Sequence, residues 1–254
     1  MGLNASGLAR IWEGTLGLVY PPQCPGCDAP VGEAGSLCPD CWREARFITG
    51  AACLSCGAPM ASDGGASGAG AWDGQCDECL ALARPWTRGV AALTYAGTAR
   101  RLVLMLKHGD RPDLAPTLGR WLAAAAAPVV VPGTVVVPVP VHPARALRRR
   151  YNQAALIGRA AARALGVAHQ AGALRRLRNT PMQDHRSVAD RFANQSGAIE
   201  VAARAAPALV GQPVLLVDDV MASGATLGAA SEALIAAGAG AVTIAVVARA
   251  VKDT

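Results

Sequence analysis

Eight cysteines, arranged as four CxxC pairs and confined to the first third of the chain, constrain the fold more than any other feature. The pairs are CPGC at Cys24 and Cys27, CPDC at Cys38 and Cys41, CLSC at Cys53 and Cys56, and CDEC at Cys76 and Cys79. A CxxC turn aims two thiolates at one centre about 2.3 Å from each sulfur, and two such turns close the tetrahedron of a structural Zn²⁺ site. Eight sulfurs predict two sites with none left over. A disulfide framework would need an oxidising compartment. The N-terminus MGLNASGLARIWEGTLGLVYPPQC gives no route to one, because Arg10 and Glu13 interrupt its apolar part and no cleavage pattern follows. It reads as a short amphipathic helix. Its first six residues fit the bare N-myristoylation pattern, a match too short to carry weight.

Pairing in sequence order puts Cys24, Cys27, Cys38 and Cys41 on one zinc and Cys53, Cys56, Cys76 and Cys79 on the other; interleaved pairing is equally open at this stage. The stretch between the third and fourth pairs, APMASDGGASGAGAWDGQ, is a flexible linker by composition and carries no chemistry. Closed four-thiolate sites are scaffolds, so no catalysis is assigned to them.

Beyond Arg84 the chain has no cysteine and is rich in Ala, Val and Leu. The change near residue 80 divides it into an N-terminal helix and double zinc ribbon over 1–80 and a second domain over 84–254, long enough to bury its own core. The run from Trp121 to Pro140 is apolar but interrupted at Pro128, Pro132 and Pro138, which a membrane-spanning helix would not tolerate. No membrane span and a cytoplasmic location are expected. The formal charge is +6, yet all but two of the 24 cations are arginine in an Ala/Gly-rich chain, so net charge says little about partners.

The second domain alternates predicted strands and helices: a strand in GVAALTYA, helices in GTARRLVLMLKHG and DLAPTLGRWLAAA, a strand in TVVVPVP and a helix in NQAALIGRAAARAL. An irregular basic stretch then spans 175–194, followed by a strand PVLLV, a helix TLGAASEALIAAG and a strand AVTIAVVA. Uniformly apolar strands between helices indicate an α/β fold with a parallel sheet covered on both faces. Ligands bind such sheets beyond the C-terminal ends of the strands. There VLLV meets Asp218 and Asp219, and the loop MASGAT leads into a helix whose first amides suit a phosphate. Gly224 allows close backbone approach, Ser223 and Thr226 can donate to phosphate oxygens, and the two acids suit a sugar's hydroxyls. A bare Mg²⁺ site or an N-capping pair is the alternative for the acids. Neither a P-loop nor a GxGxxG turn is present in the sequence, which removes kinase and dinucleotide readings.

At VLLVDDVMASGAT the chain resembles the type I phosphoribosyltransferases. That likeness implies that Asp218 and Asp219 hold the ribose hydroxyls of phosphoribosyl pyrophosphate (PRPP), with Mg²⁺, and that Ala222, Ser223, Gly224, Ala225 and Thr226 hold its 5-phosphate. VPVPVHPARALRRRYNQA, RRLRNTPMQ and DRFAN, with cysteine pairs in front, resemble the ComF family of competence-associated proteins over nearly the whole chain. In that family the PVPVHPAR segment is the pyrophosphate loop, which implies pyrophosphate contacts at Pro140 and Val141 and catalytic roles for Arg145, Arg149 and Lys107. Guanidinium forks at Arg145, Arg148, Arg149 and Arg150 are chemically suited to a multiply charged phosphate. Arg150 stands where the family has glycine. Arg176, Thr180, Gln183, Arg191 and Asn194 match the family's spacing for a mobile flap. His108, His142, His169 and His185 have no metal-ligand partner at helical spacing and are expected on the surface or in loops. Purine-salvage members of the superfamily carry an aspartate at the fifth position of the motif; here it is Ala222, which cannot act as a base. Two functions follow from the resemblance: a phosphoribosyltransferase with an unnamed acceptor, linked to DNA uptake, or a non-catalytic PRPP sensor that binds single-stranded DNA and other DNA-uptake proteins.

Overall fold

The computed structural model describes residues 21–60, 74–141, 151–178 and 197–251. In chain order the elements are α1 (Pro39–Glu44), α2 (Asp77–Ala81), β1 (Arg88–Thr94), α3 (Gly97–His108), α4 (Ala115–Ala126), β2 (Val135–Pro138) and α5 (Gln153–Leu165). They continue with β3 (Ala168–His169), β4 (Leu174–Arg176), β5 (Ile199–Val201), β6 (Val214–Met221), α6 (Ala225–Ala236) and β7 (Val242–Arg249). Five strands form one sheet in the order β1-β7-β6-β2-β3, and every pairing in it is parallel. β4 and β5 form a separate antiparallel pair.

Successive side chains of a strand point to opposite faces, and both faces here are covered. Val136, Leu215, Val217, Ala245 and Val247 pack with α3, α4 and α5 on one face. Val135, Val137, Val214, Leu216 and Ile244 pack with α6 and with Cys53, Cys56, Cys79 and Trp86 on the other. This is why the strands read as unbroken apolar runs. The expected run Trp121–Pro140 divides as its prolines require, into α4, a short 3₁₀ turn Ala127–Val129 and β2. Among the described residues no helix is long and apolar enough to cross a membrane.

The cysteine-rich segment is joined to the sheet along the β1 edge. Ile48 N donates to Ala92 O at 2.9 Å, Thr94 N to Arg46 O at 2.9 Å and Gly89 N to Leu54 O at 2.8 Å. Phe47 and Leu93 form an antiparallel bridge. An edge strand's unpaired amides and carbonyls are thereby occupied. The approach is so close that a Cβ on Gly57, at φ +68°, would lie 2.6 Å from Ala91 N.

Two expectations change. Arg175 and Arg176, at the start of the stretch expected to be irregular, belong to β4, which pairs with β5 so that Leu174 is opposite Val201 and Arg176 opposite Ile199. Three-residue strands are too short to show a period, and their partners are far apart in sequence. β6 also runs on past VLLV to Met221, because Asp218 and Val220 still pair with Val246 and Ala248 of β7. The expected N-terminal helix, the Gly-rich linker over 61–73, the segment 142–150 and most of the flap, 179–196, lie outside the described residues.

Candidate functional site

The two cysteine tetrads follow sequence order. The sulfurs of Cys24, Cys27, Cys38 and Cys41 all lie within 4.8 Å of one another, as do those of Cys53, Cys56, Cys76 and Cys79. Sulfurs 2.3 Å from a tetrahedral centre are about 3.8 Å apart. The Cys27–Cys38 and Cys56–Cys76 separations are 3.5 and 3.7 Å. Cys38 N donates to Cys24 Sγ at 3.3 Å and Cys76 N to Cys53 Sγ at 3.3 Å, orienting the ligands as thiolate sites require. Four thiolates in this geometry fit zinc, and both clusters are consistent with a double zinc ribbon. The first packs against Ala29, Val31 and Leu37 and meets α3 at Arg101, whose Nη2 lies 3.5 Å from Cys41 Sγ, whereas the second shares the sheet's own core.

Asp218 and Asp219 stand near the C-terminal end of β6, where the strand's alternation sends them to opposite faces. Asp219 is buried and its Oδ1 is 2.9 Å from Lys107 Nζ at the end of α3. Asp218 is half-buried, and its Oδ1 accepts from Asp219 N at 2.8 Å. Its carboxyl is pushed up to about 7 by burial and by the Asp219 carboxylate, with Lys107 and Arg176 opposing. A raised carboxyl makes the folded chain bind more protons than the unfolded chain. This contribution to stability is therefore fully present below the unfolded value near 4 and is lost as pH rises through about 7. The stability advantage of the wild type over Asp218→Asn should shrink between pH 5 and 7.5. Urea unfolding of both proteins across that range measures it, and a constant difference would contradict the assigned environment.

After Met221 the chain turns through Ala222, Ser223 and Gly224 into α6. Gly224 is the residue before the helix, at φ +82°, and a Cβ there would meet Met221 Cε at 2.7 Å. The left-handed backbone favours glycine, and a larger residue would also have to displace the Met221 methyl. No side chain of the N-cap closes the helix start, and Ser223 Oγ accepts from Ala225 N at 3.4 Å. The backs of these peptides are held by two arginines. Arg249 Nη1, from the end of β7, donates to Ala222 O at 2.9 Å and Met221 O at 3.3 Å. Arg84 Nη1 donates to Ser223 O at 2.7 Å, its guanidinium lying over the Trp86 ring. In a trans peptide the C=O of one residue and the N–H of the next point in opposite directions. Holding the carbonyls of Met221, Ala222 and Ser223 therefore turns the amides of Ala222, Ser223 and Gly224 to the other side, as an anion-binding nest requires.

Residues 15–86 match the double zinc ribbon domain and residues 154–254 the phosphoribosyl transferase domain. The chain joins a double zinc ribbon to a phosphoribosyl transferase domain. It is homologous to the DNA utilization protein YhgH of Salmonella typhimurium, with 28% identity over 95% of this chain and 96% of that one. The YhgH protein of Escherichia coli is 28% identical over 89% of this chain and 96% of its own length. Among solved structures, the chain is similar to the glutamine PRPP amidotransferase of B. subtilis at 22% identity and a TM-score of 0.38. It is also similar to an allosteric regulatory enzyme of purine biosynthesis at 20% and 0.39. The chain spans about a third of the length of those two, 30% of each.

The structure brings Asp218, Asp219, Lys107, Pro140 and Val141 to one end of the sheet. Val139 N donates to Val217 O at 2.8 Å, which sets the segment Pro140–Val141 beside β6. Asn152, the α5 N-cap, closes the other end by donating from Nδ2 to Val139 O at 3.0 Å. Ala222 is exposed, Ser223 and Thr226 are half-buried, and Ala225 is buried. Arg145, Arg148, Arg149, Arg150 and His142 lie outside the described residues, as do Thr180, Gln183, His185, Arg191 and Asn194. Arg176 is described and acts electrostatically on Asp218. His108 is exposed and His169 is half-buried, neither in a metal cluster among the described residues. Sequence reasoning passed over Arg84 and Arg249. The signal for Arg249 was present: it is the only charge in the apolar run AVTIAVVARA, at the C-terminal end of a central strand.

Proposed function

We propose that the chain binds PRPP with Mg²⁺ at the turn from Asp218 to Thr226 and transfers its phosphoribosyl group to an acceptor in DNA uptake or use, in the cytoplasm. Two Zn²⁺ ions hold the ribbon. The observation that carries this reading is the juxtaposition of Asp218 and Asp219 with a glycine-opened, uncapped helix start at the C-terminal edge of a parallel sheet. The names of the YhgH relatives supply the link to DNA.

On this reading Asp218 and Asp219 accept from the ribose hydroxyls, and the amides of Ala222 to Thr226, with the Ser223 and Thr226 hydroxyls, hold the 5-phosphate. Lys107, Pro140, Val141, Arg145 and Arg149 face the pyrophosphate. Mg²⁺ bound with PRPP would supply charge neutralisation for the departing pyrophosphate. The bond from C1 to oxygen breaks, its electron pair leaves with pyrophosphate, and the acceptor's lone pair forms the new bond to C1 as the acceptor's proton passes to solvent water. The chain contributes positioning and charge stabilisation, and no covalent intermediate is required.

Ala222, exposed at the tip of the loop, favours a second reading. Its methyl group offers no base for an acceptor proton. A chain that binds PRPP without transferring it would serve as a ligand-responsive, single-stranded-DNA-binding module with other DNA-uptake proteins as partners. Incubating the purified protein with PRPP and Mg²⁺, with and without single-stranded DNA, and measuring PRPP affinity and pyrophosphate release separates the two. Release well above the uncatalysed rate establishes a transferase. Binding without release establishes the module, and absence of binding removes both.

A further inference from the structure

The second cysteine cluster and the Met221–Gly224 loop are joined through two guanidinium groups, that of Arg249 buried and that of Arg84 half-buried. Arg249 is 2% exposed. One arm, Nη1, donates to the carbonyls of Met221, Ala222 and Ala250. The other, Nη2, donates to Glu78 Oε2 at 2.8 Å, and Glu78 lies between the ligands Cys76 and Cys79 in α2. The guanidinium also stands beside the Cys56 sulfur. Arg84 repeats the pattern, with Nη1 on Ser223 O at 2.7 Å and the group beside Cys79. Trp86, under the Arg84 guanidinium, donates from Nε1 to Ser55 O inside the CLSC turn. Three consecutive carbonyls of the loop are thus held by groups that also hold the ribbon.

Burying an arginine costs free energy unless charge and hydrogen bonds compensate for lost water. Thiolates bound to a metal remain charged, so a filled cluster supplies the counter-charge that keeps both guanidinium groups in place. Without that charge Arg249 loses the Cys56 thiolate and keeps Glu78, Arg84 loses the Cys79 thiolate, and the carbonyls of Ala222 and Ser223 are held less firmly, whereas Met221 O also accepts from Ala250 N. The first cluster has no such path among the described residues: Arg101 Nη2 lies 3.5 Å from Cys41 Sγ, and its other partners are Glu44 and Thr98.

We infer that Arg84 and Arg249 are positioning residues that couple the two sites: metal held by Cys53, Cys56, Cys76 and Cys79 and phosphate held by the Met221–Thr226 loop stabilise each other. The inference rests on the PRPP reading of that loop. Linkage makes the coupling reciprocal, so it is measurable from either side.

The test uses the full-length chain with two zinc ions. Zinc affinity is measured by equilibrium competition with a chromophoric chelator, with and without saturating PRPP and Mg²⁺, and PRPP affinity is measured in parallel. One of the two zinc equivalents should bind about tenfold more tightly with PRPP present, within the ordinary range of site coupling. In Cys27→Ser, which leaves the second cluster as the complete one, the surviving equivalent should show the same response. Arg249→Lys cannot fork between carbonyls and ribbon, and should keep zinc and PRPP binding while its coupling falls below about twofold. A role confined to stability would weaken both ligands in Arg249→Lys and leave the ratio unchanged. PRPP binding with no change in either zinc of the wild type overturns the inference alone, and so does full coupling in Arg249→Lys. If the wild type binds no PRPP, the reading of the loop fails and takes the inference with it.

Discussion

Asp218→Asn combined with Asp219→Asn is expected to abolish PRPP binding, with a loss of at least about a hundredfold, while both zinc equivalents remain. Each substitution removes a charge from the acceptor that the ribose hydroxyls and Mg²⁺ would use, and charge-assisted hydrogen bonds are about twice as strong as neutral ones. Loss of two contacts worth about 1.5–3 kcal/mol each corresponds to a hundredfold or more. The double variant also strips Lys107 of its counter-ion at 2.9 Å. Lys107 is 23% exposed and can turn its ammonium toward water, so the fold should survive with a modest loss of stability. Asp218→Asn alone keeps an Oδ1 acceptor for Asp219 N and leaves the Lys107 pair intact, which separates binding from stability. Calorimetric titration with PRPP and Mg²⁺, beside metal analysis and a thermal melt, reads all three quantities. Unchanged affinity in the double variant would falsify the site assignment.

Serine in place of Cys53 should release one of the two zinc ions and destabilise the whole chain. Cys53 is 1% exposed and belongs to the same apolar cluster as Val137, Leu216 and Ile244. Losing the ion leaves three thiols around a vacated centre inside that cluster and frees the strip 46–57 that covers the β1 edge. Structural zinc sites contribute on the order of 10 kcal/mol to small domains. Even a fraction of this, about 4 kcal/mol, lowers the melting temperature of a chain this size by about 10 °C. Cys27→Ser makes the contrast, because Cys27 is exposed and its cluster packs against Ala29, Val31 and Leu37, apart from the sheet's core cluster. The first zinc should leave with a smaller shift. Equal shifts for the two variants would mean that the second cluster is not part of the sheet's core, contrary to the packing seen here.

Much of this was legible in the sequence because it rests on local chemistry. The CxxC spacing selects a tetrahedral thiolate site before any fold is known, and the structure closes the tetrads in the sequence order that spacing alone left open. The uniformly apolar VLLV and IAVV segments imply strands buried on both faces, since a half-exposed strand would alternate. The acids of β6 and Gly224 likewise announce themselves, because a charged pair directly after a buried strand needs a ligand or a partner. Asp219 has that partner in Lys107, a contact that spans 112 positions and has no local signature.

What the sequence by itself determined was therefore the inventory: two thiolate clusters, a parallel α/β sheet, and an acid-and-glycine turn at a strand's C-terminal end. Those features depend on residue type and short-range spacing. Only the tertiary structure decided how the parts meet. It placed Cys53, Cys56 and Cys79 inside the sheet's core, divided the two aspartates between opposite faces, and brought Glu78 and Arg249 to 2.8 Å across 171 positions of chain. The physical reason is that a hydrogen bond between distant residues is set by how strands and helices pack, and packing has no period along the chain. Arg249 stands out in the sequence as a charge in an apolar strand, but what it and Arg84 hold shows only when the carbonyls of Met221, Ala222 and Ser223 are seen against them.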